Sequence, residues 1–175
     1  MTKDLTQGKI TPLLVKFTIP LLFGNIFQLM YNSVDSIIVG QLVGKEALAA
    51  VGTSNPLMTL AILFVNGMCI GASILMGTQY GAKKMDVLKR QISTTMIAGI
   101  VFSIAVTLFC ILFARPLLLL IRVQEEVLPL AVSYLRIVFL GFIFTFIYNF
   151  FACTLRALGD STTPLYFLVA SSVLN

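Results

Sequence analysis

The chain has 175 residues, 58% of them hydrophobic and only 11% charged, with a mean hydropathy of +1.00. So little polar surface cannot coat a water-soluble globule, which makes this an integral membrane protein. The net charge of +5 comes from basic residues beside apolar spans, which excludes nucleic acid as a partner, and the absence of His with three isolated Cys leaves no metal or disulfide framework.

The apolar runs are about 20 residues or longer and lack polar alternation, so the spans are helices and not barrel strands. The expected fold class is all-α: a polytopic membrane helix bundle with four complete transmembrane helices and the start of a fifth. Met1 to Thr11 forms a short polar leader with Lys3 and Lys9, and Pro12 stands at a helix start. The first span, about 13–39, is too long for a signal-peptide core and lacks a cleavage pattern, so it is retained.

This first helix carries Asp35, the one acid inside a hydrophobic segment. Aspartate at the centre of a membrane helix costs about 2.5 to 3.5 kcal/mol on insertion scales, so such residues are functional and face the protein interior. At about 100° per residue, Asn25, Gln28, Asn32, Asp35 and Ser36 share one polar stripe, which belongs on a cavity or another helix. Pro20 removes a backbone hydrogen bond upstream of Asp35 and gives the helix a place to bend.

Gly40 and Gly44 end the first span, and Lys45-Glu46 leads into a second helix over about 48–78. Gly67 and Gly71 form a small-xxx-small pair there, while Asn55, Thr59, Asn66 and Ser73 make a polar face that reads as helix-helix glue. Gly81 is the expected C-cap, followed by the basic link Lys83, Lys84, Asp86, Lys89, Arg90. The third helix, about 92–113, has only Ser and Thr as polar residues and reads as scaffold. A mixed connection with Arg115, Arg122, Glu125 and Glu126 leads to Pro129, which opens a fourth helix over about 129–155.

The fourth helix presents Tyr134 and Asn149 as cavity candidates, and Arg136 near its external end reads as a snorkelling residue. After the turn Arg156 to Ser161, with Gly159 as a left-handed cap, Thr163-Pro164 starts a fifth helix over about 164–175. That run is about half the length of a span, so a fragment of a larger bundle is expected. Eight cations in the leader and the alternate links face three in the others, with Arg136 apart, which places the N-terminus in the cytoplasm.

The runs Asp35-Ser36-Ile37-Ile38-Val39-Gly40-Gln41, Glu46-Ala47-Leu48-Ala49-Ala50-Val51-Gly52, Gln79-Tyr80-Gly81-Ala82 and Arg156-Ala157-Leu158-Gly159-Asp160-Ser161, in this order, resemble the N-terminal lobe of the multidrug and toxic compound extrusion (MATE) transporters. The resemblance covers the whole chain. It implies a plasma-membrane antiporter of twelve helices in two six-helix lobes, exporting amphipathic, often cationic compounds in exchange for protons or sodium ions, with no other cofactor. Residues 1–175 would be part of the N-terminal lobe, and the C-terminal lobe would be a missing partner beside the lipid bilayer and the substrate.

Carried over position by position, Asp35 matches the family's helix 1 aspartate and Gln28 a polar cavity position. Asn175 resembles the helix 5 asparagine that, in one branch of the family, precedes a second acid by four residues, an acid expected beyond this sequence, and it is carried over with Asp35 as a coupling residue. The implied cycle is neutralisation of Asp35 by the coupling ion, bending of the first helix at Pro20 and expulsion of substrate from a cavity that also holds Asn32, Asn149 and Tyr134. The alternatives are a lipid or lipid-linked oligosaccharide flippase of the same superfamily, which calls for a more cationic cavity, and an inactive truncated half-transporter. An enzyme is not expected, since there is no His, no carboxylate pair within one span and no metal spacing.

Overall fold

The computed structural model describes residues 10–174, without the side chains of Ile10, Asp35, Val39, Val43 and 172–174. Every regular element among the described residues is helical. In order they are α1 (Ile10–Ile38), a π-helical turn (Val39–Val43), α2 (Lys45–Gly81), α3 (Met85–Leu120), α4 (Leu128–Leu140), α5 (Phe142–Ala157) and α6 (Thr162–Leu174). Three of these are long and apolar enough to cross a membrane, and α4 with α5 makes a fourth crossing if taken as one bent span. The all-α membrane fold expected from composition is the fold observed.

The helices outrun the apolar segments that announce them, most of all α3, whose first turns take in Lys89 and Arg90 from the expected link. Lys and Arg are good helix formers, so the helix continues beyond the apolar stretch until a cap stops it. α2 ends in a Schellman motif, with Lys83 N–H bonded to the Tyr80 carbonyl and Lys84 N–H to that of Gln79, both at 3.0 Å. Its left-handed residue is Lys83, at φ 57°, and not the expected Gly81. α3 ends the same way on Arg122, at φ 58°. Pro20 and Pro56 lie inside unbroken helices.

The single fourth helix expected over 129–155 is two helices, α4 and α5, bent by 45° at Gly141. Glycine is about 1 kcal/mol poorer than alanine in a helix interior. Here the Gly141 N–H bonds to Val138 in a tighter turn, and the Gly141 carbonyl takes Phe144 N–H, both at 3.0 Å.

The described residues fall into two compact units. The first holds α1 to Ser33, Met68–Met96 of α2 and α3, and the chain from Tyr148 on. Cys69, Met76, Phe150 and Cys153 are buried at its centre, with the Thr154 hydroxyl 3.7 Å from Met76 Sδ. The second holds Val34–Gly67 and Ile97–Ile147. There α3 runs antiparallel to α4 and the start of α5 in a readable register. Gly99 faces the Phe146 ring, Thr107 bonds the Phe139 carbonyl, and Arg136 Nε donates to the Ile111 carbonyl at 3.3 Å.

Candidate functional site

The site is built on the hairpin of α5 and α6 in the first unit. α5 closes in a Schellman motif: Asp160 N–H reaches the Leu155 carbonyl at 2.8 Å and Gly159 N–H that of Arg156 at 3.0 Å. Gly159 adopts φ 86°, a conformation that costs glycine nothing and other residues about 1 kcal/mol or more. Asp160 then caps α6. Its Oδ1 accepts Thr162 N–H at 3.1 Å and Thr163 N–H at 3.0 Å, and its Oδ2 accepts the Thr163 hydroxyl at 2.8 Å.

The cap is therefore Asp160 and not the expected Thr163, which lies within α6. A carboxylate can serve two of the orphan N–H groups of the first turn at once and meets the positive end of the helix dipole. Burial acts to raise the Asp160 carboxyl, but hydrogen bonds led by those from Thr163 outweigh it and hold the group at about 2.

With the hairpin closed, each helix presents one face to a cavity of about 640 Å³. α5 contributes Tyr148, Phe151, Ala152 and Leu155. α6 contributes Pro164, Phe167, Leu168 and Ser171 at the same i, i+3, i+4, i+7 spacing, the repeat that puts four side chains on one helix face. α1 adds Gln28. It reaches α6 through Gly24, where an added methyl would sit at 3.6 Å from Leu165, ordinary contact distance.

The volume is that of a site for a small organic molecule, and the lining is mostly apolar and aromatic. Polar handles among the described lining residues are the Gln28 amide, the Tyr148 phenol and the Ser171 hydroxyl. Such a surface can cover an apolar body and fix one polar group of a ligand. Ring faces of Tyr148, Phe151 and Phe167 can meet a cation without a carboxylate.

Of the residues singled out from the sequence, Gln28 lines this cavity. Asn32 and Asn149 lie in the same unit but are not among its described lining residues, and Tyr134 belongs to the second unit. Pro20 is half-buried within α1. The Asp35 side chain and Asn175 lie outside the described residues. Sequence reasoning missed the α5 and α6 quartets. Their spacing was the available signal, but in a membrane helix an aromatic face toward lipid has the same pattern as one toward a cavity.

A profile of the MatE family matches residues 20–175. The chain is 34% identical to the probable multidrug resistance protein YpnP of Bacillus subtilis (strain 168) over 172 residues, 98% of this chain and 39% of that protein. Among solved structures it is similar to a MATE protein in a bent conformation, at a TM-score of 0.87 and 25% identity over 95% of this chain and 37% of that one. It is likewise similar to a MATE protein in a straight conformation, at 0.89 and 25% over 99% and 39%. The chain thus spans about two fifths of the length of the relatives it matches.

Proposed function

The chain belongs to the MatE family of membrane transporters, and from that premise we propose that it forms part of the N-terminal lobe of a cation-coupled exporter of amphipathic, often cationic compounds. The complementary lobe completes the transporter. The observation that carries this reading is the cavity of about 640 Å³ walled by the aromatic faces of α5 and α6, with Gln28 as a polar handle. It suits an amphipathic compound better than a strongly hydrated one, because it offers few hydrogen-bonding groups for the water such a solute would lose.

In this reading Asp35, seven residues beyond Gln28 on α1, takes up the proton or sodium ion, and Asn175 takes part in the coupling. Asn32, Asn149 and Tyr134 join the substrate path. Neutralising a carboxylate within the bilayer removes the desolvation cost of its charge, so the lobe can change its exposure once the ion is bound. Pro20 is the hinge for the accompanying bend of α1, since it lacks the N–H that would resist bending there. The excess of basic residues in the leader and alternate links supports a cytoplasmic N-terminus, in the plasma membrane that the family reading implies.

The test is ethidium accumulation in efflux-deficient cells expressing the full-length parent or its Asp35→Asn variant, with pH and sodium gradients set separately. Lower accumulation with the parent and not the variant supports the reading and identifies the ion. Normal export by Asp35→Asn overturns the role of Asp35. Accumulation equal to that of empty cells favours a lipid flippase or an inactive half-transporter.

A further inference from the structure

A second cavity, of about 460 Å³, lies between the end of α2 and the start of α3, wholly within the first unit. Its α3 wall is a stripe at helical spacing: Val87, Arg90, Gln91, Thr94 and Thr95. At 1.5 Å per residue this stripe is about 12 Å long. Leu75 and Gln79 of α2 form the opposite wall. The groove lies where the long apolar stretches of both helices end, which is the level of a membrane interface.

The polar groups in it are unspent. Among the described residues, the side chains of Gln79, Arg90, Gln91, Thr94 and Thr95 have no hydrogen-bond or ion-pair partner. Serines and threonines elsewhere turn back on their own helix: Ser33, Thr53, Ser54, Ser73 and Thr78 each donate to a carbonyl three or four residues earlier. Thr94 and Thr95 do not. Together the five side chains offer many more donors than acceptors, as a phosphate requires. Lys83, Lys84 and Lys89 lie exposed beside the groove, against Asp86 as the one acid of residues 83–90.

We propose that this groove binds the phosphate of an anionic phospholipid headgroup from the leaflet at the α2–α3 turn. Arg90 pairs with the phosphate and the two glutamines and two threonines hydrogen-bond the headgroup. Leu75, about half exposed and on the membrane side of Gln79, covers the start of the acyl chains. Basic pockets between membrane helices recognise such lipids through this combination of fixed charge and interfacial depth. The site is separate from the α5–α6 cavity and is independent of what that cavity carries.

The experiment is native mass spectrometry of the detergent-purified protein after delipidation, titrated with phosphatidylglycerol, phosphatidylcholine or inorganic phosphate, with a thermal melt of each variant as the folding control. The expected result is one phosphatidylglycerol per chain, bound at least tenfold more tightly than phosphatidylcholine, with a preference that falls below threefold in Arg90→Gln and survives in Lys89→Gln. Should Arg90→Gln not fold, Thr94→Val carries the expectation of severalfold weaker phosphatidylglycerol binding with phosphatidylcholine unchanged. Equal binding of the two lipids, a preference retained without Arg90, or an equal loss in Lys89→Gln overturns the proposal. Displacement of the lipid by equimolar inorganic phosphate also overturns it, by assigning the groove to a free anion.

Discussion

The hydroxyl of Thr107 on α3 donates to the main-chain carbonyl of Phe139 across 3.0 Å, two residues before the helix breaks at Gly141. The bend between α4 and α5 is thus held from outside by a neighbouring helix as well as by its own glycine. Thr107→Val keeps the shape and removes the donor. It is expected to cost about 1 kcal/mol, the usual net worth of such a bond, and to speed hydrogen exchange at residues 140–143. Thermal unfolding in detergent and amide exchange check this, and exchange unchanged across the break would show that Gly141 holds the bend alone.

Gly99 faces the ring of Phe146, which is buried to 1% exposure, and a Cβ built there would fall 1.9 Å from the ring. The clash is with a side chain that has nowhere to move. Gly99→Ala is expected to destabilise the protein by about 1 to 3 kcal/mol, the range for overpacking a filled core. Combining it with Phe146→Leu should cost less than the sum of the two single changes. Strict additivity in that cycle would refute the contact.

Arg122 closes α3 in the left-handed region, at φ 58°, where an L side chain costs about 1 to 2 kcal/mol. Arg122→Gly relieves that strain while giving up a cation at a helix C-terminus, worth about 0.3 to 1 kcal/mol. The glycine variant is expected to unfold no more easily than the parent. Arg122→Val, with a branched Cβ, should unfold at least about 1 kcal/mol more easily. Equal stability of the two variants would argue against a left-handed cap.

Asp160 is held at about 2, below the usual aspartate value of about 3.9 in an unfolded chain. A depressed folded value means that the charged form favours the folded state. Its contribution is complete above the unfolded value and is lost as pH falls through the folded one. Asp160→Ala is expected to cost about 1 to 2 kcal/mol at neutral pH, as for loss of a helix cap. That deficit should shrink between about pH 4 and pH 2, as melts of the parent and the variant across this window would show. A deficit independent of pH would mean that the cap does not depend on the charge.

Much of the molecule was legible because it depends on sums over neighbouring residues. Twenty apolar residues in a row partition into a bilayer whatever they touch, and four short motifs in order identify the family. Gln28 was legible as well, as part of a polar stripe on an apolar helix. Helix ends were less so: α2 closes on Lys83 and not on the expected Gly81, and α3 closes on Arg122 with no glycine nearby, because the hydrogen-bonded geometry of the cap forces the left-handed residue whatever its side chain.

The membrane class, the helical architecture and the family were determined by the sequence alone, since hydropathy and motif order are local properties that survive without a partner helix. Only the tertiary structure decided that Gly141 breaks a span, that Arg90 stands on a helix wall, and that Tyr148, Phe151, Phe167 and Ser171 face a cavity. An aromatic helix face satisfies lipid and cavity equally well. A glycine among phenylalanines bends or runs straight according to its packing, and here the Thr107 hydroxyl bonds the chain two residues before it.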